Sequence, residues 1–220
     1  VDMADIGAYS ACYKIGMFMV LFRTAYTLGI EPFFFSHAKN ENAPHTYATI
    51  TKYFVIFGSF ICLGVIVFAD ILKLILVNNQ SYWTAMNIVP LIVLANFFLG
   101  IYTNLSVWYK LIDKTRIGAY ISIVGAIVTL VLNLILIPMI SYMGSAIATI
   151  LAYGTMMFIS YYMGQKKYPI PYDKKSIFTY LGLAIVLSGI SFYVPVLRET
   201  YVFGIAAILF FAYFVYRNEK

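Results

Sequence analysis

The chain has 220 residues, of which 62% are apolar and only 11% are charged. Its mean hydropathy is +0.85, whereas a soluble globular domain averages about 45–50% apolar and about 25% charged. This composition excludes a water-soluble enzyme, a disordered chain and a nucleic-acid-binding module, and it makes lipid the solvent of the fold. The net charge of +6 is unevenly distributed and reads as membrane topology. Cys12 and Cys62 both lie inside apolar runs and read as small hydrophobes, with neither a disulfide framework nor a CxxC metal site. The only histidines, His37 and His45, share one polar loop. No metal and no cofactor is expected.

A spanning helix needs about 20 mostly apolar residues. Seven stretches supply them in chain order: 8–34, 53–77, 85–109, 117–138, 141–163, 177–195 and a short last one, 200–216. The expected fold class is all-α, a polytopic membrane helix bundle with seven transmembrane helices. Polar strings at 36–52, 77–83, 110–116, 164–176 and 197–200 separate the spans. Pro138 is expected to end the fourth span, and Tyr142 to Gly144 to open the fifth.

Basic residues set the orientation. Counting loops alternately, one side holds eleven: Lys39, Lys52, Lys110, Lys114, Arg116, Lys166, Lys167, Lys174, Lys175, Arg217 and Lys220. The other side holds two, Lys73 and Arg198. This bias places the basic side and the C-terminus in the cytoplasm. Seven crossings then put Val1 on the outer side. No positively charged segment precedes the first span, so no signal peptide is expected. The chain therefore reads as the C-terminal portion of a longer protein. Tyr82, Trp83, Trp108, Tyr109, Tyr168 and Tyr172 sit where spans meet polar loops, as interfacial belts do, or pack helix ends.

The first span carries the informative charges. Lys14 lies in its outer half, Arg23 near its middle and Glu31 near its cytoplasmic end. A charge near mid-bilayer costs about 2.5–3.5 kcal/mol on insertion scales, so it should face protein or water. Arg23, Thr27 and Glu31 are spaced by four and share one helical face, with Tyr9, Tyr13, Gly16 and Val20 leading into it. Lys14 and Arg23 are nine residues apart, about half a turn around the helix. Either Arg23 serves a ligand, or it pairs with Glu31 or another helix for structure while Lys14 snorkels outward.

In the third span, Pro90 is expected to kink the helix six residues before Asn96, and Tyr102, Thr103 and Asn104 follow. Buried amides usually bond between helices, which favours a packing role for Asn96 and for Asn133 of the fourth span. Gly144, Ala146, Ala148 and Ala152 form a small-residue stripe that suits close helix approach. Asp70 and Lys73, three apart, are expected to form a solvated pair. All acidic residues except Glu31 lie in termini, loops or boundaries, and no HExxH or nucleophile elbow occurs. No catalytic residue and no enzyme activity is expected.

Four stretches together resemble the polysaccharide and O-antigen repeat-unit flippases of the multidrug/oligosaccharidyl-lipid/polysaccharide exporter superfamily. They are IGAYSACYKIGMFM (6–19), the run to EPFF (31–34), TNLSVWYKLIDKTRIGAYISIVGAIVTLVLNLILIP (103–138) and MGSAIATILAYGTM (143–156). YPIPYDKK (168–175) looks like Bacteroidetes members. Ser141-Tyr142-Met143-Gly144 stands where the family often has a Gly-Tyr or Gly-Phe turn.

The resemblance implies a two-lobe transporter of about fourteen helices, of which this chain would be the C-terminal half. Residues 1–163 would be most of the second lobe, 164–176 a basic cytoplasmic linker, and 177–220 an extra helix pair and tail. The implied activity is translocation of undecaprenyl-pyrophosphate-linked oligosaccharides across the bacterial cytoplasmic membrane by alternating access, for polysaccharide or lipopolysaccharide synthesis. The implied partners are the lipid-linked oligosaccharide, membrane lipid and polysaccharide polymerase machinery. On this template Arg23 and Lys14 would meet the pyrophosphate or an acidic sugar, Tyr9 and Tyr13 would stack on sugar rings, and Asn96 and Asn104 would bond hydroxyls. Glu31 would be a coupling carboxylate or structural. The alternatives are a cation-coupled multidrug antiporter of the same superfamily and a membrane-embedded transferase of a polysaccharide locus.

Overall fold

In hydrocarbon, every backbone N–H and C=O must be satisfied within the protein, which leaves helices or closed barrels. The computed structural model describes residues 3–220, so the expected outer placement of Val1 lies outside the described residues. All regular elements among the described residues are helical. They run α1 (Met3–Ser36), α2 (Ala43–Val67), α3 (Ala69–Leu76), a 3-10 stretch (Gln80–Ile88), α4 (Val89–Leu105), α5 (Val107–Leu111), α6 (Thr115–Ile140), α7 (Tyr142–Lys167), α8 (Lys174–Tyr193), α9 (Pro195–Thr200) and α10 (Val202–Glu219).

Among the described residues, six segments are long and apolar enough to cross a membrane, with the 3-10 stretch, α4 and α5 counting as one. These are six of the seven expected spans, and the remaining one, 8–34, falls on α1. That helix has 34 residues, about 50 Å at 1.5 Å per residue, but Lys14, Arg23 and its tyrosines dilute its apolar character.

Two prolines act differently from expectation. Pro90 falls in the first turn of α4, where its missing N–H has no partner to lose, so it starts the helix without kinking it. Pro138 sits inside α6, which continues to Ile140. The missing bond to the carbonyl four residues back does not stop the helix; Ser141 makes the reversal, with φ at 50°. The second span also begins ten residues earlier than its apolar run, at Ala43. Its polar first turns are stitched by Thr46 and Thr49, whose hydroxyls donate to the carbonyls of Asn42 and His45, while Tyr47, Ala48 and Thr51 face inward.

The small-residue stripe does bring helices close. Gly144 lies against α6, where an added methyl would come within 2.6 Å of the Leu136 carbonyl. Trp108 and Tyr109 are buried, which removes them from the expected interfacial belt. The Trp108 indole donates to the Ser160 carbonyl at 3.1 Å, and the Ser160 hydroxyl donates to the Leu105 carbonyl at 2.7 Å. This buried tie joins the α4–α5 junction to α7.

α8 and α10 pack on α2 and on each other. At one end, Glu219 of α10 binds Lys52 of α2 at 2.6 Å and accepts from Tyr180 of α8 at 2.8 Å. At the other, Asp70 accepts from Lys73 at 2.6 Å and from Arg198 of α9 through Nη2 at 2.7 Å and through Nε. The expected solvated Asp70–Lys73 pair is thus a partly buried, three-membered bridge. The stretch read as a linker is helical up to Lys167, and Asp173 caps α8 by accepting from the Ser176 amide at 3.2 Å.

Burial alone would raise the Asp70 carboxyl, but the hydrogen bonds and charges of Arg198 and Lys73 outweigh it and hold the group below its ordinary value. A carboxylate depressed in the folded state stabilises the fold above its unfolded pKa, and that contribution is lost as pH falls through the folded value. Asp70→Asn is therefore expected to lower the melting temperature at neutral pH, with the gap to wild type closing below about pH 4. Parallel melting series against pH check this.

α6 stands apart from the rest of the bundle. Only 6% of its most apolar stretch is buried within the protein, against 61% for α2. Its main neighbour is α7.

Candidate functional site

α1 packs on α2, the 3-10 stretch and α4, while α7 packs on α4 and α6. α1 and α7 meet only sparingly. α4 therefore floors a groove with α1 as one wall and α7 as the other. Half-buried polar side chains from both walls meet there: Tyr9, Tyr13 and Arg23 from α1, Ser145 and Tyr153 from α7.

Arg23 passes beside Gly100 of α4, whose bare Cα leaves room chiefly for the Phe54 ring, 2.5 Å from where a Cβ would stand. A Cβ at Gly100 would lie 3.5 Å from the Arg23 Cγ. The Nε of Arg23 is buried without a hydrogen-bond partner. No carboxylate pairs with Arg23 among the described residues. Tyr153 lies within electrostatic reach of both Arg23 and Tyr13. The rings of Tyr9 and Tyr13 are 5.9 Å apart at 38°, and Ser145 approaches Tyr9 from α7. The groove thus offers one fixed positive charge, phenol faces and hydroxyls.

A family model described as MatE matches residues 1–135. The chain belongs to the MatE family. MatE proteins are transporters rather than enzymes, within the multidrug/oligosaccharidyl-lipid/polysaccharide superfamily. As a MatE protein with six apolar spans among its described residues, the chain is a multi-pass membrane protein. No curated protein and no solved structure matches it. The MatE match includes the α1 wall and the α4 floor; Ser145 and Tyr153 lie beyond it.

The remaining candidates of this MatE chain fall elsewhere. Lys14 is exposed, half a helical turn from Arg23, and makes no hydrogen bond or ion pair among the described residues. Asn96 is buried and donates to the Ile92 carbonyl at 2.9 Å. Asn104 is buried, donates to the Gly100 carbonyl at 3.2 Å and accepts from the Tyr26 hydroxyl. Both amides are engaged by protein, Asn96 within its own helix and Asn104 also across to α1. Glu31 forms an ion pair with Lys110 of α5, not with Arg23.

Because the Glu31–Lys110 pair is partly exposed, it is worth about 1 kcal/mol or less. Glu31→Gln is expected to leave transport within about twofold of wild type, as loss of such a pair would. A transport assay in which that variant became inactive would assign Glu31 a coupling role.

Tyr153 and Ser145 do not stand out in the sequence. Tyr153 is a lone phenol among Ala148, Ala152 and Gly154, and its position opposite α1 depends on which helices adjoin.

Proposed function

We propose that the chain is part of a flippase moving undecaprenyl-pyrophosphate-linked oligosaccharide repeat units from the inner to the outer leaflet of the bacterial cytoplasmic membrane. The delivered units would feed polysaccharide or O-antigen assembly by polymerase machinery on the outer side. The physical obstacle is an anionic pyrophosphate and a hydrated sugar facing hydrocarbon, a transfer that costs many kcal/mol unless both are solvated by the protein. A wet groove with a cationic wall lowers that barrier, and alternating access moves the groove's opening from one side to the other.

The observation that carries this reading is Arg23. It is a mid-span arginine beside Gly100, with a buried, unpartnered Nε and no carboxylate partner among the described residues. An anion is the group such a side chain lacks. Tyr9, Tyr13 and Tyr153 add ring faces and hydroxyls suited to sugars. The multidrug reading has less support, because a cationic drug calls for a free carboxylate, and the nearest on this helix, Glu31, is engaged by Lys110. The basic loops argue for a cytoplasmic C-terminus.

Complementation tests the proposal. The full-length gene is expected to restore surface polysaccharide to a strain lacking its repeat-unit flippase. Failure to restore it, combined with resistance to cationic dyes, would turn the reading to drug efflux.

A further inference from the structure

A second cavity lies at the end of the bundle opposite the basic loops. Its volume is about 850 Å³, within the range of small-molecule sites. Its walls come from α3, the 3-10 stretch, the end of α8 and α9. All are connectors at the ends of spans, so the cavity opens at the level where hydrocarbon gives way to lipid head groups.

The charges of this cavity are held in place. Asp70 offsets one of the two cations, Lys73 and Arg198, which leaves one surplus positive charge with N–H donors to spare. Each cation also lies over an aromatic ring, Lys73 at 4.7 Å from the Trp83 centroid and Arg198 at 4.0 Å from that of Phe192. Glu199 on the same wall is exposed and forms no ion pair among the described residues, which leaves one surplus negative charge. Tyr201, which also lines the cavity, is held at φ 53°, a conformation a tyrosine rarely adopts. The rim is apolar where it is exposed: Leu74 is 62% accessible, and Val196, beside the lining Pro195, is 73% accessible.

One surplus cation, one surplus carboxylate and an apolar rim at head-group depth complement one chemistry. We propose that this cavity seats the zwitterionic head group of an aminophospholipid, its phosphate on Lys73 and Arg198 and its ammonium beside Glu199. The acyl chains leave past Leu74 and Val196 into the bilayer. A neutral sugar fits less well, because two of the ring faces it would stack on are covered by the cations. This assignment does not depend on the flippase reading.

Trp83 is the reporter. Full-length protein is placed in nanodiscs containing brominated phosphatidylethanolamine, phosphatidylcholine or phosphatidylglycerol, and the signal of a Trp83→Phe variant is subtracted. Half-maximal quenching of Trp83 is expected at an ethanolamine-lipid fraction about threefold lower than for the other two, since phosphatidylglycerol has no ammonium and the quaternary ammonium of phosphatidylcholine has no N–H to donate to Glu199. Glu199→Gln, a change at an exposed side chain, is expected to erase the preference over phosphatidylcholine. Equal quenching by all three lipids would mean ordinary boundary lipid and would overturn the proposal, as would a preference unchanged in Glu199→Gln. Inorganic phosphate or a neutral oligosaccharide that shifted Trp83 emission in detergent, with no competition from phosphatidylethanolamine, would overturn it in favour of a soluble ligand.

Discussion

Arg23→Glu is expected to abolish export while the protein still inserts and reaches the membrane in normal amounts. The wild-type side chain passes Gly100 with its Cγ, Tyr153 lies within electrostatic reach, and its Nε is unsatisfied. Hydrogen bonds to charged groups are worth about 1.5–3 kcal/mol, so Arg23→Gln, which only removes the charge, should weaken handling of an anionic substrate about 10- to 100-fold. Arg23→Lys keeps the charge but loses the planar fork, and is expected to fall between Arg23→Gln and wild type. An arginine at mid-span opposes insertion by about 2.5–3.5 kcal/mol, so its neutral replacement eases insertion, and lost export in Arg23→Gln could not be blamed on a failure to enter the bilayer. Surface-polysaccharide recovery, normalised to membrane-inserted protein, reads the effect. Normal export by Arg23→Glu would sink the cationic-groove idea at this residue.

Trp108→Ala is expected to give the largest loss of stability of any single change described here. Trp108 is buried, and its indole N–H holds the Ser160 carbonyl of α7. Core Trp→Ala changes cost about 3–5 kcal/mol in soluble proteins. Between membrane helices the water-driven part is absent and packing with hydrogen bonding dominates, which places the expected loss near the lower end, about 3 kcal/mol. Trp108→Phe keeps most of the packing and gives up one hydrogen bond, about 1 kcal/mol. Melting in mild detergent should therefore rank wild type above Trp108→Phe and Trp108→Ala last. Equal melting of wild type and Trp108→Ala would show that the tie from the α4–α5 junction to α7 carries no weight.

The helices were legible because an apolar run of spanning length has few alternatives in lipid. Their ends were less so. α2 begins well inside a polar string because threonine hydroxyls and an early proline allow helix where hydropathy does not point to it. Pro90 and Pro138 show that a proline's effect depends on its place in the helix. Arg23 was legible because a charge inside a long apolar run needs an explanation. Its surroundings were not, since periodicity reports which residues share a face but not which helix lies opposite. Glu31 finds Lys110, 79 residues away, and Asp70 finds Arg198, 128 residues away; neither pairing leaves a local trace. The same holds for Tyr153 and Ser145. Trp108 looked interfacial from its position beside a loop, but the small residues Ser160 and Gly164 open a place for it inside the bundle.

α6 leaves most of its surface uncovered by the rest of the chain. A side chain there has no neighbour whose shape it must match, except where α6 meets α7, as at Gly125 under Met156, and where Gly118 lies under Tyr109 of α5. Leucine, isoleucine, valine and phenylalanine are then nearly interchangeable over much of this helix, and a lysine is not. Sequence drift in related chains should be widest along α6, bounded only by oiliness and length, and it should narrow sharply at those two glycines.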